Sequence, residues 1–385
     1  MASRATGWRA KAIARLGLAV LASTSFWIRG AESVATQGLE DADLKIPLWH
    51  WAFELRGAAG YKDNVTLSSH EPSASGFWLS HADAILFRVP TLGWRAHFFA
   101  AVDDVRYFDA RGADNEQTAL AAAEISKDFD HGWKSSLGLS YLYQYQFFDM
   151  SATYTNGGSI GLIRGHLLSP HWSGRKTLGT FWVEAEFAGA RQILAAPLDN
   201  YWQLGPRLRL GLNYGRASEI ALACTWTHQT YDTRECADLA GSPLPGKPLL
   251  FQTPGAELAW THLWDDRKRW QTSLRLGAEA TRDNGPGYYD YDLYRVQPEL
   301  RYRHNAWELT ARAGVRFFTY KHQTVSASDA ARRQRTLLTV AARVERQLTR
   351  HLKAHASYQL ERSSSNLDFD DYVANTMMGG LALEF

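Results

Sequence analysis

The chain has no run of about 18 consecutive apolar residues, the length a membrane-crossing helix needs. A shorter run, Leu16–Phe26, lies near the amino terminus. Only two cysteines, Cys224 and Cys236, occur in 385 residues, which excludes a disulfide-stapled scaffold. The formal net charge is only +2, so no nucleic-acid partner is expected. Glycine-rich phosphate loops and a repeat of propeller-blade length are both missing. No recognised metal spacing occurs around Cys224, His228, Asp232 and Cys236, so neither a metal nor a cofactor is expected.

Aromatic residues, by contrast, are plentiful: 15 Trp, 17 Tyr and 17 Phe. Such rings collect at membrane–water interfaces, because their bodies are apolar and their N–H or O–H groups stay wet. Yet the mean hydropathy is negative, −0.34. A bundle of membrane helices would not combine these properties. A transmembrane barrel would, since alternate residues of every strand face water.

Residues 1–35 read as a secretory signal peptide. Arg4, Arg9, Lys11 and Arg15 precede the Leu16–Phe26 apolar core, and small residues follow. Cleavage after Ser25, Ser33 or Ala35 would fit. No cysteine follows the core, so a lipid anchor is not expected. Residues 36–46 form a short periplasmic lead-in, and 47–385 the barrel.

From Trp49 onward the sequence alternates with period two, the signature of a strand with unlike faces. Trp49, Trp51, Phe53, Leu55 and Tyr61 share one face; His50, Glu54 and Arg56 share the other. The segment 202–214 is the cleanest: Trp202, Leu204, Leu208, Leu210 and Leu212 oppose Gln203, Arg207, Arg209 and Asn213. Runs of this length exceed the usual five or six residues of a soluble strand and suit a tilted membrane strand. The Ala-rich segment 118–128 has helix propensity but fits the strand rhythm. The faces of 77–89 are ambiguous, and 159–168 is expected to point Arg164 and His166 inward before a turn at 169–176. Pro206, Pro254 and Pro298 fall inside strands, where each removes a ladder donor. Counting gives about sixteen strands, with long polar connections alternating with tight ones such as Pro90–Gly93 and Gly215–Ser218. The longest expected loops are 232–247 and 321–334, either of which would set the bore by folding inward.

The final stretch is Tyr372-Val-Ala-Asn-Thr-Met-Met-Gly-Gly-Leu-Ala-Leu-Glu-Phe385. It alternates back from Phe385 through Leu383 and Leu381, and resembles the closing strand of bacterial outer-membrane β-barrels. The resemblance implies an all-β fold, a transmembrane antiparallel up-and-down barrel. It also implies that Tyr372, Leu381, Leu383 and Phe385 belong to an assembly signal read by the barrel-assembly machinery. Outer-membrane lipid and lipopolysaccharide would surround the protein, as a homotrimer or a monomer. It points to no single porin family. Because an open sheet edge is untenable in hydrocarbon, this strand must pair with 49–61.

The expected lumen carries Arg207, Arg209, Arg275, Arg295, Arg301, Arg312, Arg316 and Arg343, with Glu257, Glu279, Glu299 and Glu308. Two outcomes are open for them. Unpaired, they set up a field that favours small polar or anionic solutes; paired across strands, they stiffen the wall. A porin-like passive channel is therefore expected. The alternatives are a barrel component of an envelope export or assembly system for polysaccharide or lipoprotein, and a lipid-acting barrel enzyme. For the enzyme, His228, His262 and His322 are candidates, but no nucleophile motif surrounds them, and no activity is expected. Cys224 and Cys236 would bridge only if their loop folded back.

Overall fold

The computed structural model describes residues 48–149, 160–215, 217–325 and 330–385. The expected signal peptide and lead-in lie outside them. Sixteen antiparallel strands follow one another around a closed barrel. The first eight are β1 (Trp49–Lys62), β2 (Ser75–Thr91), β3 (Trp94–Tyr107), β4 (Asn115–Asp128), β5 (Trp133–Asp149), β6 (Ile160–Leu178), β7 (Phe181–Leu194) and β8 (Tyr201–Tyr214). The rest are β9 (Ser218–Ala237), β10 (Pro243–Leu263), β11 (Trp270–Asp283), β12 (Tyr291–His304), β13 (Trp307–Thr324), β14 (Arg332–Gln347), β15 (Leu352–Ser365) and β16 (Tyr372–Glu384).

Closure follows the expected pairing. β1 meets β16 in a register running from Glu54↔Glu384 to Lys62↔Thr376. Phe385 completes the seam: its N–H donates to Phe53 O at 2.9 Å, and its carbonyl accepts from Phe53 N at 3.3 Å. The two rings lie 6.3 Å apart. Each bond is worth about 1 kcal/mol net, and more where water is absent. Deleting Phe385 is expected to lower the folded fraction in the outer membrane, read as the heat-modifiable band on a gel, without altering conductance of the molecules that fold. Wild-type levels of the truncated chain would contradict this.

The outer face is apolar and exposed, with Leu55, Phe98, Leu137, Leu208, Leu222 and Leu381 among its side chains. Trp49 and Tyr61 mark the two ends of this band on β1 and are both exposed. Twelve steps along a strand span about 40 Å, or about 28 Å once tilted by about 45°. That matches the hydrocarbon thickness of a bilayer. Such an outer belt is intelligible only against lipid, and it defines a membrane-spanning barrel.

Prolines weaken single ladders without breaking the wall. β8–β9 pairing skips residues 205–206, β10–β11 skips 253–254, and β12–β13 skips 297–298. On the opposite side each proline keeps its neighbour: Phe187↔Pro206, Trp226↔Pro254 and Leu274↔Pro298. At one end tight turns join the strands. Leu92-Gly93 and His131-Gly132 adopt positive φ at both residues, the geometry that matches strand twist in a hairpin. At another turn Asp265 caps the chain, accepting from Arg269 N at 2.7 Å and Trp270 N at 3.1 Å. The Arg269 side chain beside it holds this carboxyl below its usual range.

Several expectations are corrected. The segment 232–247 is not a free loop: β9 runs on to Ala237 and β10 starts at Pro243. Likewise 321–324 belong to β13 and 332–334 to β14. β6 continues through 169–176 with no turn, and Arg164 and His166 are exposed on its outer face, where Tyr141 OH lies 2.8 Å from His166 Nδ1. The inward face of β6 is instead taken by Ile163 and Leu167, the latter packed with Leu142 and Ala190. On β2, Phe77 and Leu79 point inward and pack with Ala58.

Candidate functional site: the barrel lumen

All twelve charged residues expected in the lumen occupy inward positions of their strands, and ten of them are ion-paired. The pairs link neighbouring strands into a belt. Arg209 Nη1 donates to Glu184 Oε1 at 2.9 Å. Arg207 lies 3.6 Å from Glu257. Arg295 reaches two acids, donating to Glu279 at 2.6 Å and to Glu257 at 3.0 Å. Gly277 makes that second reach feasible. It stands between Arg295 and Glu257 in the register, and a Cβ there would come within 2.4 Å of Arg295 Nε. Gly211 plays the same part for Trp182, over which the Arg209 and Arg175 guanidinium groups stack at 5.2 and 4.0 Å.

Lower in the belt, Arg312 Nε donates to Glu299 at 2.6 Å. Glu308 accepts from Arg301 Nε at 2.6 Å and from Arg303 Nε at 3.0 Å. Arg343 pairs with Glu345 two positions along its own strand. Arg275 and Arg316 stand apart: neither makes an ion pair among the described residues. Arg275 is also exposed, so water reaches the lumen wall at its level.

A second polar group was not anticipated. His81 is buried on β2 between two carboxylates, its Nδ1 2.9 Å from Asp103 Oδ1 and its Nε2 3.0 Å from Asp83 Oδ2. Glu54 lies close to this set but is paired with Arg56. The His81-x-Asp83 spacing on one strand face was the available signal.

Asp149 makes contacts across the barrel. Asp149, at the end of β5, pairs with Arg335 on β14, and Tyr372 OH sits 2.9 Å from Asp149 Oδ2 and 2.8 Å from Glu361 Oε1. β5 and β14 stand on nearly opposite sides of the sixteen-strand circuit. The end of β5 therefore reaches toward the facing wall. Leu67, from the β1–β2 connection, packs on Tyr372, Ala374 and Leu337 of the same wall. Among the described residues, the end of β5 and Leu67 narrow this end of the bore. The 321–334 segment instead docks on the β15–β16 connection, where Arg333 Nε donates to Asp370 at 3.0 Å.

The remaining candidates separate. Leu381, Leu383 and Phe385 are exposed on the outer face, whereas Tyr372 faces the lumen. Cys224 and Cys236 are both free, correcting the disulfide option. They lie twelve residues apart along one strand, about 40 Å when extended, against the roughly 7 Å a bridge allows. Cys236 is buried and its thiol donates to Asn284 Oδ1 at 2.9 Å. His228 and His262 belong to the outer face. His262 stacks against Tyr214 and Trp260 in the aromatic girdle, and the nearby Ser218 hydroxyl accepts from Leu263 N.

The fold and lumen thus define the class: a sixteen-stranded membrane-spanning barrel with a polar, charge-lined interior. No family profile and no curated protein matches the chain. Among solved structures it is similar to a loop-deletion mutant of OmpT, an outer membrane protein of Vibrio cholerae. That match has 13% identity and a TM-score of 0.46, covering 88% of this chain and 99% of the other. It is also similar to OccAB1 of Acinetobacter baumannii, with 8% identity and a TM-score of 0.48 over 88% and 97% of the two chains. A third is an anion-selective porin from Comamonas acidovorans, with 9% identity and a TM-score of 0.44 over 88% and 99%. At these identities the likeness concerns the barrel fold alone.

Proposed function

We propose that this protein is a porin-like passive channel of the outer membrane, taking small polar solutes and favouring anions. Sixteen strands enclose a bore too wide for side chains to fill. The observation that carries the reading is the exposed, unpaired Arg275 on the inner wall, joined by the unpaired Arg316 on β13. The cations of the belt around them lie against carboxylates, whereas these two carry their charge without an ion-pair partner among the described residues. In this reading residues 1–35 direct export, the short turns face the periplasm, and Leu381, Leu383 and Phe385 present the assembly signal. Liposome swelling tests the channel. Proteoliposomes are expected to swell in a small sugar, and faster in a sugar acid of equal size. Swelling no faster than that of empty liposomes with either solute would overturn the reading.

A further inference from the structure

At the tight-turn end, four hairpins or strand pairs place a tryptophan directly opposite a cation on the outer face. The pairs are Trp49↔Arg88, Trp94↔Lys127, Trp133↔Lys176 and Trp307↔Arg346. In three of them the cation lies over the indole: Lys127 at 4.8 Å, Lys176 at 5.0 Å and Arg346 at 5.1 Å. The two lysines share a further detail. Each ammonium donates to the carbonyl two residues before its tryptophan, Lys127 to Leu92 O at 2.9 Å and Lys176 to His131 O. Both carbonyls belong to positive-φ residues followed by a positive-φ glycine. The same seat is thus built twice from unrelated turn residues.

These cations differ from those in the lumen. None of Lys127, Lys176 and Arg346 makes an ion pair with a carboxylate among the described residues. The indole, joined at the two lysines by the turn carbonyl, holds each group in place without a carboxylate partner. Trp94, Trp133 and Trp307 are all half-exposed at the edge of the apolar belt, so the charge sits at headgroup depth. The arc running from β13 through β16 and β1 to β6 carries them. The opposite arc, at Tyr214, Trp260, Trp264 and Trp270, carries ring–ring contacts instead.

We propose that this arc is a binding site for anionic phospholipid, with Lys127, Lys176 and Arg346 holding the phosphodiester groups and the tryptophans packing on the glycerol region. Charge complementarity selects a lipid with net negative charge over a zwitterionic one. It anchors one side of the barrel at fixed depth in the leaflet at the tight-turn end.

Native mass spectrometry of the purified barrel, loaded with phosphatidylglycerol or phosphatidylcholine, tests the site. Wild type is expected to retain phosphatidylglycerol preferentially. The variant Lys127→Gln/Lys176→Gln/Arg346→Gln is expected to lose retention by about fivefold per site. Lys127→Arg/Lys176→Arg keeps the charge and is expected to keep the lipid. Arg164→Gln/Arg362→Gln, on the outer face at the other end, is expected to behave as wild type. Unchanged retention in the triple variant, or an equal loss in the Arg164/Arg362 control, would overturn the proposal. If the triple variant does not fold, Lys127→Gln alone is measured; undiminished phosphatidylglycerol then overturns it equally.

Discussion

Replacing Arg275 and Arg316 together by glutamate is expected to reverse the ion preference of the channel. The two residues are the lumen cations of the expected set that lack an ion-pair partner, so their fields reach the solute. Each unit charge at about 8 Å in water is worth about 0.5 kcal/mol. Ionic strength near 0.15 M reduces that by about a factor of e. The double reversal changes four unit charges, so an anion loses about 0.8 kcal/mol and a cation gains as much. The anion-to-cation permeability ratio then falls by roughly tenfold. The comparison that isolates the argument is Arg301→Glu/Arg312→Glu. Those residues already sit against Glu308 and Glu299, so reversing them replaces salt bridges by like-charge contacts. It is expected to lower stability as well as shift selectivity. A ratio unmoved by the Arg275/Arg316 change would show that free lumen cations do not govern permeation.

Cutting the contact across the lumen is expected to have the other large effect. Asp149→Ala removes a carboxylate that pairs with Arg335, which is 4% exposed. Removing one member of such a pair costs about 3–5 kcal/mol when the survivor stays buried. Arg335 still donates to Ser363 Oγ at 2.8 Å, which pulls the cost toward the lower figure. The released end of β5 is no longer held against the facing wall. Single-channel conductance is expected to rise, and thermal stability to fall. Asp149→Ala/Arg335→Ala is expected to conduct like Asp149→Ala while recovering part of the stability, because the buried cation is removed together with its carboxylate. Conductance unchanged in both variants would show that the end of β5 does not help set the bore.

The sequence made the wall legible because lipid imposes a two-residue period on every membrane-crossing segment. The strand count, the β1–β16 seam and the inward placement of all twelve lumen charges follow from that alternation alone. Even Ala119–Ala123, with its helical propensity, is strand, since neighbouring β3 and β5 supply the ladder. Reading failed where the lipid constraint lapses. Above the belt both faces of a strand meet protein and water, so β9 and β10 continue past the point where alternation stops, and 232–247 looked like a loop. On β2 and β6 the inward face is itself apolar at Phe77, Leu79, Ile163 and Leu167, which masked its direction.

Pairing within the lumen was less legible than placement. Arg295 finds Glu257 two strands away, across Gly277, because the strands are staggered around the barrel. Alternation gives the face of a residue but not its height against a strand two positions away. The Asp149–Arg335 contact joins residues 186 positions apart on facing walls, and no local pattern marks either as special. His81 could have been found, since a histidine and an aspartate at i and i+2 share one strand face.

The measurement that tests the account most directly is the reversal potential of the wild-type protein in a planar bilayer under a KCl gradient. Stepwise conductance through an open bore is expected, with a reversal potential of the sign that marks chloride as the more permeant ion. Absence of conductance steps, or a reversal potential favouring potassium, would contradict it.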